Sequence, residues 1–471
     1  MAVPFVFFLF LFLLIFRFVY TNLWIPWRLQ SHFNKLRLTG PRYRLFTGNS
    51  SEVTRSTTEA KSKPIPSGDN PHEFVHRVAP HYHNWSRAYG KTFLYWFGTK
   101  PVVATSDPKL IREALKSKSF DRIGHNPLSK LLYAQGLPGL RGDQWAFHRR
   151  IAVQAFTMDK VKMFIEKWEE IRNGEEEIEL DVHREVHSLS AHMLSRTAFG
   201  NNVEEGKRIF ALQERMMRLF YLVRWSIYIP GYRFLPSKTN REIWRIEKQI
   251  RGSILGLIEK NKTKDVEIAG TLLQAFMSPY VNHNGQEERL GIEEVIDECK
   301  TFYFAAKETT GDLMTWVLVL LAMHQEWQSI AREELGMIIN ETLRLYPPAM
   351  TLNRDTLKKA KLGSLEIPKG TQLYLSVVAM HHDRDAWGED AEEFNPGRFE
   401  DTRKESALLV PFGLGVRTCV GQNLAVVEAK TVLATILKHY SFRLSPSYVH
   451  APVLFVTLQP QKGAHLLFSR I

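Results

Sequence analysis

The chain begins with an uninterrupted apolar run over residues 2–16, which continues past Arg17 as a largely apolar stretch to residue 27. A helix needs roughly 20 apolar residues to cross a bilayer, so the run before Arg17 is short by itself. Either Arg17 extends toward the interface from a longer span, or the segment is a cleaved secretory signal. No small-x-small cleavage pattern follows the run, and no Lys or Arg precedes it. The pattern therefore favours a transmembrane anchor over residues 1–27.

Basic residues follow the apolar run, so the positive-inside rule places the main body of the chain in the cytosol. They are Arg28, Lys35, Arg37, Arg42 and Arg44. A Gly-Pro pair then interrupts the pattern, as expected of a stiff hinge. We predict a basic, proline-containing hinge over residues 28–48. One large domain follows over residues 49–471, because no repeat, low-complexity linker or second boundary is visible.

Most of this domain has a helical period. Residues 159–171, 239–261 and 292–335 carry apolar side chains at i, i+3, i+4 and i+7. The third segment is apolar on much of its surface through its middle, so we expect it to run through the core.

Strand signals are few. They lie at residues 92–98, 101–106, 371–380 and 452–460. Two polar stretches, residues 50–63 and 172–181, are interpreted as exposed loops or helix ends. The whole pattern predicts a mainly α fold with small β-sheets.

Composition narrows the classes of function. The chain has 62 Lys and Arg against 50 Asp and Glu, a net charge of +12, and 44% hydrophobic residues, so it is basic and forms a core. Excess positive charge favours an anionic partner such as a membrane surface, an acidic protein or nucleic acid. The only cysteines, Cys299 and Cys419, exclude a four-thiolate zinc or iron–sulfur site and indicate a reducing compartment.

Cys419 lies in an unusual loop. The segment PFGLGVRTCVGQNLA, residues 411–425, surrounds it with three glycines, places Arg417 two residues before it, and leads directly into a helical pattern. A thiolate metal ligand, a catalytic nucleophile and an inert loop cysteine all remain open from these residues alone.

A second candidate group combines one carboxylate with two guanidinium groups. Glu341 and Arg344 are three residues apart and share a helix face, and Arg398 follows later in a proline-bounded loop. A buried glutamate with two arginines would form a fully hydrogen-bonded network that fixes a loop against a helix. A solvated helix pair is the simpler alternative.

Two further groups are polar side chains on helices. Lys307, Glu308 and Thr309 interrupt the long apolar segment and indicate a lined cavity; alternatively the two charges face solvent and Thr309 bonds back to the preceding turn. Trp145 and Arg149 are four residues apart on one helix face. They would suit the carboxylate of a ligand, or would stack at the surface.

In this order and spacing, these segments resemble the cytochrome P450 family. The signature F-x-x-G-x-R-x-C-x-G is met at Phe412, Gly415, Arg417, Cys419 and Gly421. The E-x-x-R pair, the F-x-P-x-R-F loop, the helix segment at Thr309 and the W-x-x-x-R helix stand where the family has them. The resemblance covers nearly the whole chain. Three segments look most like a plant clan that oxidises brassinosteroids, gibberellins, cytokinins and terpenoids: residues 302–310, 322–328 and 381–399.

The resemblance implies the cytochrome P450 fold and a haem b cofactor whose iron takes Cys419 as its axial thiolate ligand. It also implies that Phe412 packs near the thiolate, and that the following helix directs its positive end toward the sulfur. Cys299 is interpreted as a buried apolar residue. The residues implied to hold the haem propionates are Arg417, Arg149, Trp145 and Arg354.

On the other face of the haem, the resemblance implies Thr309 as the oxygen-activating threonine and Glu308 as its acidic neighbour in proton delivery. The implied activity is insertion of one oxygen atom from O2 into a hydrophobic small molecule, with electrons from NADPH through NADPH-cytochrome P450 reductase. The implied location is the endoplasmic reticulum membrane, single-pass, with the catalytic domain over residues 49–471 in the cytosol. No nucleic-acid partner is expected. A haem-thiolate isomerase or dehydratase is the alternative, although such relatives tend to lose the threonine.

Two departures from the family pattern bear on activity. Ala306 stands where the family usually has glycine. The connection from Arg332 to Glu341 is also shorter than the family's, with only Gly336 between two helical patterns. An inactive splice form, or a membrane protein without catalytic activity, is therefore a further alternative.

By resemblance, substrate contacts come from segments that are apolar and aromatic, which fits a hydrophobic substrate that arrives from the membrane. Ordinary core packing is the alternative for most of them. They are residues 120–139, 216–232, 302–309, 349–352 and 452–458.

Overall fold

The structure is a computed structural model that describes residues 2–63, 65, 70–122, 136–153, 168, 175–200, 202–223, 232–262, 271–281, 286–400 and 408–471. Over these residues the fold is mainly helical with small sheets, as the sequence predicts. The α-helices in chain order are α1 (Ala2–Val19), α2 (Ile25–Lys35), α3 (Ser50–Ser62), α4 (Val75–Val78), α5 (Pro80–Tyr89), α6 (Pro108–Lys116), α7 (Gly142–Val153), α8 (Val182–Phe199), α9 (Val203–Val223), α10 (Lys238–Lys262), α11 (Leu272–Met277), α12 (Ile292–Met323), α13 (Trp327–Glu333), α14 (Leu335–Leu345), α15 (Val377–His381), α16 (Arg384–Trp387) and α17 (Gln422–His439).

The strands are short. In chain order they are β1 (Thr92–Phe97), β2 (Lys100–Thr105), β3 (Phe120–Arg122), β4 (Glu177–Asp181), β5 (Tyr280–Val281), β6 (Glu287–Glu288), β7 (Thr351–Thr356), β8 (Ala360–Leu362), β9 (Leu365–Ile367), β10 (Gln372–Ser376), β11 (Tyr440–Leu444), β12 (Pro452–Leu454), β13 (Leu458–Pro460) and β14 (His465–Arg470).

The N-terminal helix is compatible with a membrane anchor. α1 continues through a π-helical turn, Tyr20–Trp24, into α2, so the helical path runs on to Lys35. The span Val6–Lys35 has 30 residues, its most apolar window has a mean hydropathy of 2.1, and none of that window is buried against the protein. A helix of this length and composition can cross a bilayer. It extends past residue 27 into the segment that the sequence pattern assigns to the hinge.

The chain divides into two compact units, each built from several segments. The first unit comprises Met1–Ile123, Met350–Glu393 and Ala407–Arg417, and the second comprises Gly124–Ala349, Phe394–Ser406 and Thr418–Ile471.

The first unit is organised around a five-stranded sheet with the order β1-β2-β10-β7-β3. β10 pairs parallel with β2, and the other neighbours are antiparallel. The strands bury aliphatic and aromatic side chains such as Leu94, Val103 and Leu373 in one cluster. α6 joins this cluster through Ile111 and is capped by Asp107, whose carboxylate accepts from two backbone N–H groups of its first turn.

The second unit is organised around α12, and the segment from Leu313 to Ala322 in this helix is buried throughout. α8 packs along α12, and the indole Nε1 of Trp316 donates to the carbonyl of Leu458 at 2.8 Å. An antiparallel sheet with the order β11-β14-β4 belongs to the same unit. The prediction that this apolar segment runs through the core is therefore confirmed for α12, but the predicted helix over residues 292–335 is interrupted by a turn between Met323 and Trp327.

Several predicted elements differ from the structure. Residues 50–62 form helix α3 and not an exposed loop, and hydroxyl groups such as those of Thr54 and Thr57 are satisfied by carbonyls one turn earlier. Residues 172–181 contain strand β4, and residues 371–380 form β10 followed by α15. The predicted helix over residues 159–171 lies outside the described residues apart from Trp168.

Candidate functional site

The cysteine loop crosses the division between the two units, so its halves are described separately. In the first unit, Gly413 and Gly415 both have φ of +75°, which an L side chain rarely adopts. A Cβ on Gly415 would also lie 2.8 Å from the carbonyl oxygen of Leu115, at the end of α6. Both glycines are therefore required by the backbone of the loop. Phe412 is half-buried beside them.

Arg417 ends a short turn in this half of the loop and is bound by a carboxylate. Its Nε lies 2.8 Å from Asp121 Oδ1, and its Nη2 donates to Oδ2 at 2.9 Å. Arg354, on β7, is buried nearby. Burial, together with the charges of Arg122 and Arg417, lowers its pKa to about 10, and Asp121 opposes this shift. The guanidinium groups of Arg122, Arg354 and Arg417 therefore have the one carboxylate of Asp121 near them. This excess of positive charge favours binding of a further anion.

In the second unit, Cys419 is exposed and lies two residues before Gly421, the N-cap residue of α17. Arg149, on α7, donates from Nη1 to the carbonyl of Thr418 at 2.7 Å. Burial lowers the pKa of Arg149, and the Cys419 thiolate opposes this shift. The guanidinium therefore lies within electrostatic range of the sulfur. The predicted pairing with Trp145 is present as a stack, with the guanidinium 5.6 Å from the ring centroid.

A buried ion pair that the sequence analysis missed attaches α7 to α12. His148, next to Arg149, has its Nδ1 2.6 Å from Glu298 Oε1, and both side chains are buried. This contact fixes the helix that carries Trp145 and Arg149. The signal in the sequence is weak, because a histidine beside an arginine is common on solvated helices.

The polar cluster on α12 is not on a solvent face. Glu308 is buried and lies 2.9 Å from the ammonium group of Lys307, so the alternative that places both charges in solvent is wrong. The hydroxyl of Thr309 donates to the carbonyl of Ala305 at 2.7 Å, as expected for a threonine that bonds back within a helix. The second carboxylate oxygen of Glu308 lies 3.8 Å from Nδ1 of His187, a residue of α8.

The structure brings Glu341, Arg344 and Arg398 together. Glu341 accepts from Nε and Nη2 of Arg344 at 2.7 and 2.8 Å, from Nε of Arg398 at 3.1 Å, and from the backbone N–H of Asn395 at 3.0 Å. Glu341 and Arg344 are fully buried. The alternative of a solvated helix pair is therefore wrong, and the network joins α14 to the loop that contains Arg398.

The short connection before this network is a single residue between two helices. α13 ends at Glu333 and α14 begins at Leu335, and the Glu334 side chain accepts from the backbone N–H of Gly336. Arg332 donates from Nε to the carbonyl of Leu437 at 2.9 Å. The two helices are thus joined directly, and both are held by contacts within the second unit.

Three of the predicted substrate segments meet in one apolar cluster of the second unit. Met217 and Phe304 are buried in it, and Phe220, Phe455 and Val456 pack against them. The cluster therefore joins α9, α12 and the turn after β12. Residues 123–135 and 224–231 of the predicted segments lie outside the described residues. Cys299 is buried in the main core of this unit, and burial raises its pKa to about 12, as expected for an apolar role.

The sequence profile of the cytochrome P450 family matches residues 69–468. The chain belongs to the cytochrome P450 family, and this makes it a haem-iron monooxygenase, an oxidoreductase.

Plant proteins are among its relatives. Cytochrome P450 734A6 of Oryza sativa subsp. japonica is 39% identical over 497 residues, with 94% of this chain and 92% of the relative covered. Cytochrome P450 734A1 of Arabidopsis thaliana is 37% identical, with 95% and 93% covered. Cytochrome P450 CYP72A219 of Panax ginseng is 37% identical, with 96% and 95% covered. The rice alignment is longer than the 471-residue chain, so it contains gaps in this chain.

The fold is also found in a solved structure. Retinoic acid-bound cyanobacterial CYP120A1 has a TM-score of 0.72 and 19% sequence identity, and the match covers 87% of this chain and 99% of that chain. At this identity the likeness establishes the fold alone.

The residues present fit a haem. In the second unit, the exposed thiol of Cys419 is a sulfur donor with the Arg149 guanidinium in its field. In the first unit, the positive charge around Arg354 matches the carboxylates of haem propionates. Haem iron requires a ligand such as the sulfur, and the propionates require positive charge. Neither observation depends on the family assignment.

Proposed function

We propose that this chain is a membrane-anchored, NADPH-dependent haem-thiolate monooxygenase that acts on a hydrophobic small molecule of hormone, terpenoid or steroid type. One atom of O2 enters a C–H bond of the substrate, and the other leaves as water with two electrons and two protons. The observation that carries the proposal is Cys419, an exposed thiol in a glycine-dependent loop beside the guanidinium of Arg149.

Each residue around the cofactor has a proposed role. Cys419 would supply the thiolate ligand of the iron, and Phe412 would pack against the haem. When bound, haem supplies the oxygen activation that no side chain can supply. Arg149 is attached to the carbonyl next to Cys419, so it can neutralise a propionate while it holds the loop. The other proposed propionate ligands are Trp145, Arg354 and Arg417.

Thr309 and Glu308 are the proposed proton-delivery residues. The Thr309 hydroxyl donates within its own helix, so its oxygen lone pairs remain available to orient a water or an acid proton. Glu308 is buried and held on one side by Lys307. A buried carboxylate in an ion pair can take up a proton and release it again without direct access to bulk water.

The proposed redox partner is NADPH-cytochrome P450 reductase, and the proposed location is the endoplasmic reticulum membrane with the catalytic domain in the cytosol. The net charge of +12 supports contact with an acidic partner and with anionic lipid. The exposed indoles of Trp24 and Trp27 stack 5.3 Å apart at the end of the apolar span, as in an interfacial aromatic belt.

The substrate class is proposed from the apolar cluster of Met217 and Phe304. Aliphatic and aromatic side chains from three elements line it, which matches a hydrophobic molecule. The resemblance to a clan that oxidises brassinosteroids, gibberellins, cytokinins and terpenoids supports a hormone or terpenoid substrate.

Reconstitution tests the proposal. The full chain with reductase and NADPH should give a thiolate-type band in the reduced carbon monoxide difference spectrum and should consume O2 with a steroid or terpenoid substrate. Cys419→Ser should keep its helical circular dichroism and lose the band, because an alcohol does not provide a thiolate ligand. An unchanged band in the variant would refute the assignment of Cys419.

Two alternatives give different results. A haem-thiolate isomerase or dehydratase would rearrange a peroxide substrate without reductase and would show no NADPH-dependent turnover. An inactive splice form would incorporate haem poorly. The retention of Thr309 and the intact Glu341 network favour the monooxygenase over both.

A further inference from the structure

Two histidines and an aspartate meet inside the second unit, between α8 and α12. His183 and His187 are four residues apart on one face of α8, and Asp312 lies opposite them on α12. Asp312 Oδ1 is 3.0 Å from His187 Nε2 and 3.6 Å from His183 Nε2. The three ligand atoms all lie within 4.8 Å of one another.

The two distances from Asp312 are close to those between neighbouring ligand atoms of one metal ion. In a tetrahedral zinc site with bonds of about 2.1 Å, neighbouring ligand atoms are about 3.4 Å apart. Only the contact between Asp312 and His187 is a hydrogen bond; the distance to His183 is too long for one. The distances from Asp312 Oδ1 to the two ring nitrogens, 3.0 and 3.6 Å, lie on either side of this tetrahedral value.

Two polar atoms in this cluster lack a hydrogen-bond partner among the described residues. They are Oδ2 of Asp312 and Nε2 of His183, and Asp312 is fully buried. A buried carboxylate oxygen without a partner is costly, and a bound ion is one of the few explanations for such an atom. A hydrogen bond between His187 and Asp312 alone leaves both atoms without a hydrogen-bond partner among the described residues. A metal ion would be bound by the His183 ring nitrogen and by either carboxylate oxygen of Asp312.

The surrounding residues support the ligand geometry. A Cβ on Gly311 would lie 2.7 Å from the His187 ring, so the glycine provides the space that this imidazole occupies. Nδ1 of His187 lies 3.8 Å from Glu308 Oε2. Metal-bound histidines usually direct their second ring nitrogen at a carboxylate, and Glu308 faces this nitrogen at ion-pair distance, without a hydrogen bond.

A bound ion also needs a path into the cluster. His183 is one-quarter exposed, whereas Asp312 is fully buried, so an ion has a route from solvent along the His183 side.

We propose that His183, His187 and Asp312 form a transition-metal site for Zn²⁺, with Glu308 as the carboxylate that orients His187. Two imidazoles and one carboxylate are a common zinc ligand set, and the fourth position would hold water. The site lies one helical turn from Thr309, so a bound metal would hold Glu308 toward α8. It is separate from the haem iron, which takes Cys419 as its proposed ligand.

Equilibrium dialysis of the full-length protein against micromolar zinc tests the site. Zinc per mole of protein is measured by mass spectrometry, with protein quantified by amino-acid analysis so that the result does not depend on haem content. We expect one zinc per chain in the wild type. The variants Asp312→Asn and His183→Gln should each bind zinc at least tenfold more weakly, because each removes one ligand. Asparagine nearly preserves the volume of aspartate, and His183 lies at a partly exposed position.

His192→Gln is the matched control, because His192 lies on the same helix α8 but outside the cluster. It should bind zinc as the wild type does. Zinc should also raise the thermal unfolding midpoint of the wild type and the control but not that of Asp312→Asn. Circular dichroism verifies that each variant folds. If Asp312→Asn does not fold, His183→Gln alone tests the site. No zinc bound by the wild type, or equal zinc in all folded variants, would overturn the proposal.

Discussion

The buried network of Glu341 gives the sharpest prediction about stability. Glu341→Gln removes the negative charge that faces Arg344 and Arg398 but keeps the size of the side chain. In the wild type the carboxylate accepts four hydrogen bonds, two from Arg344 and one each from Arg398 and the Asn395 backbone. An amide has one acceptor oxygen and turns an N–H₂ group toward the guanidinium groups, so Arg344 loses the carboxylate that neutralises its buried charge.

The magnitude follows from burial. Removing one partner of a buried ion pair costs about 3–5 kcal/mol, against a total stability of about 5–15 kcal/mol for a typical domain. Arg398→Gln should cost less than Glu341→Gln, since Glu341 then keeps both hydrogen bonds from Arg344. The order of the two losses in the free energy of unfolding therefore tests the hydrogen-bond geometry of the network, and their size tests its total contribution to stability.

The assay is urea unfolding of the detergent-solubilised chain, followed by far-ultraviolet circular dichroism. Glu204→Gln is the matched control, because Glu204 pairs with Lys207 at the same i, i+3 spacing and at 2.7 Å but in solvent. An exposed pair of this kind contributes at most about 0.5 kcal/mol. Midpoint shifts of equal size for Glu341→Gln and Glu204→Gln would show that the buried network does not stabilise the fold.

Three other predictions concern coupling, pH and the short connection. Thr309→Ala should keep the haem spectrum but yield less product and more hydrogen peroxide per NADPH, because proton delivery loses its hydroxyl; a constant product ratio would make Thr309 a packing residue. Burial raises the pKa of Glu428 from 4.5 to about 7, opposed by Ser190, so the folded state holds the proton more tightly than the unfolded chain and stability is lost as pH rises between these values. Glu428→Gln should therefore stabilise the protein by up to about 3 kcal/mol at about pH 8 and have no such effect below about pH 4 in urea titrations; an equal gain at both pH values would contradict this. A family-length insert between Leu335 and Gly336 should raise haem incorporation per mole of protein, and equal incorporation by both forms would show that the fold tolerates the short connection.

The sequence predicted the features that depend on local spacing. The apolar span, the cysteine loop and the i, i+3 relation of Glu341 and Arg344 are all visible within short segments. Gly413 and Gly415 could be assigned to the loop because their left-handed backbone is a local requirement. Periodicity also placed α12 in the core, since nearly all sides of its middle are apolar.

Local polarity was a poorer guide to exposure. The serine-rich and threonine-rich segment of α3 satisfies its hydroxyl groups within the helix, so its composition does not require a loop. Lys307 and Glu308 are polar yet buried, because each neutralises the other inside the unit. A sequence shows that a side chain is charged but not whether a partner is close enough to permit burial.

Only the tertiary structure decided which distant residues meet. Asp312 contacts His187 across 125 positions, and Arg417 contacts Asp121 across 296. The helical period shows that His183 and His187 share a face of α8, but it does not show which face of α12 lies opposite. That choice depends on how the apolar faces of both helices pack, and on the space left by Gly311, where any larger side chain would displace His187. The sequence by itself thus predicted the cysteine loop and the cytochrome P450 family, whereas helix packing decided that His183, His187 and Asp312 meet.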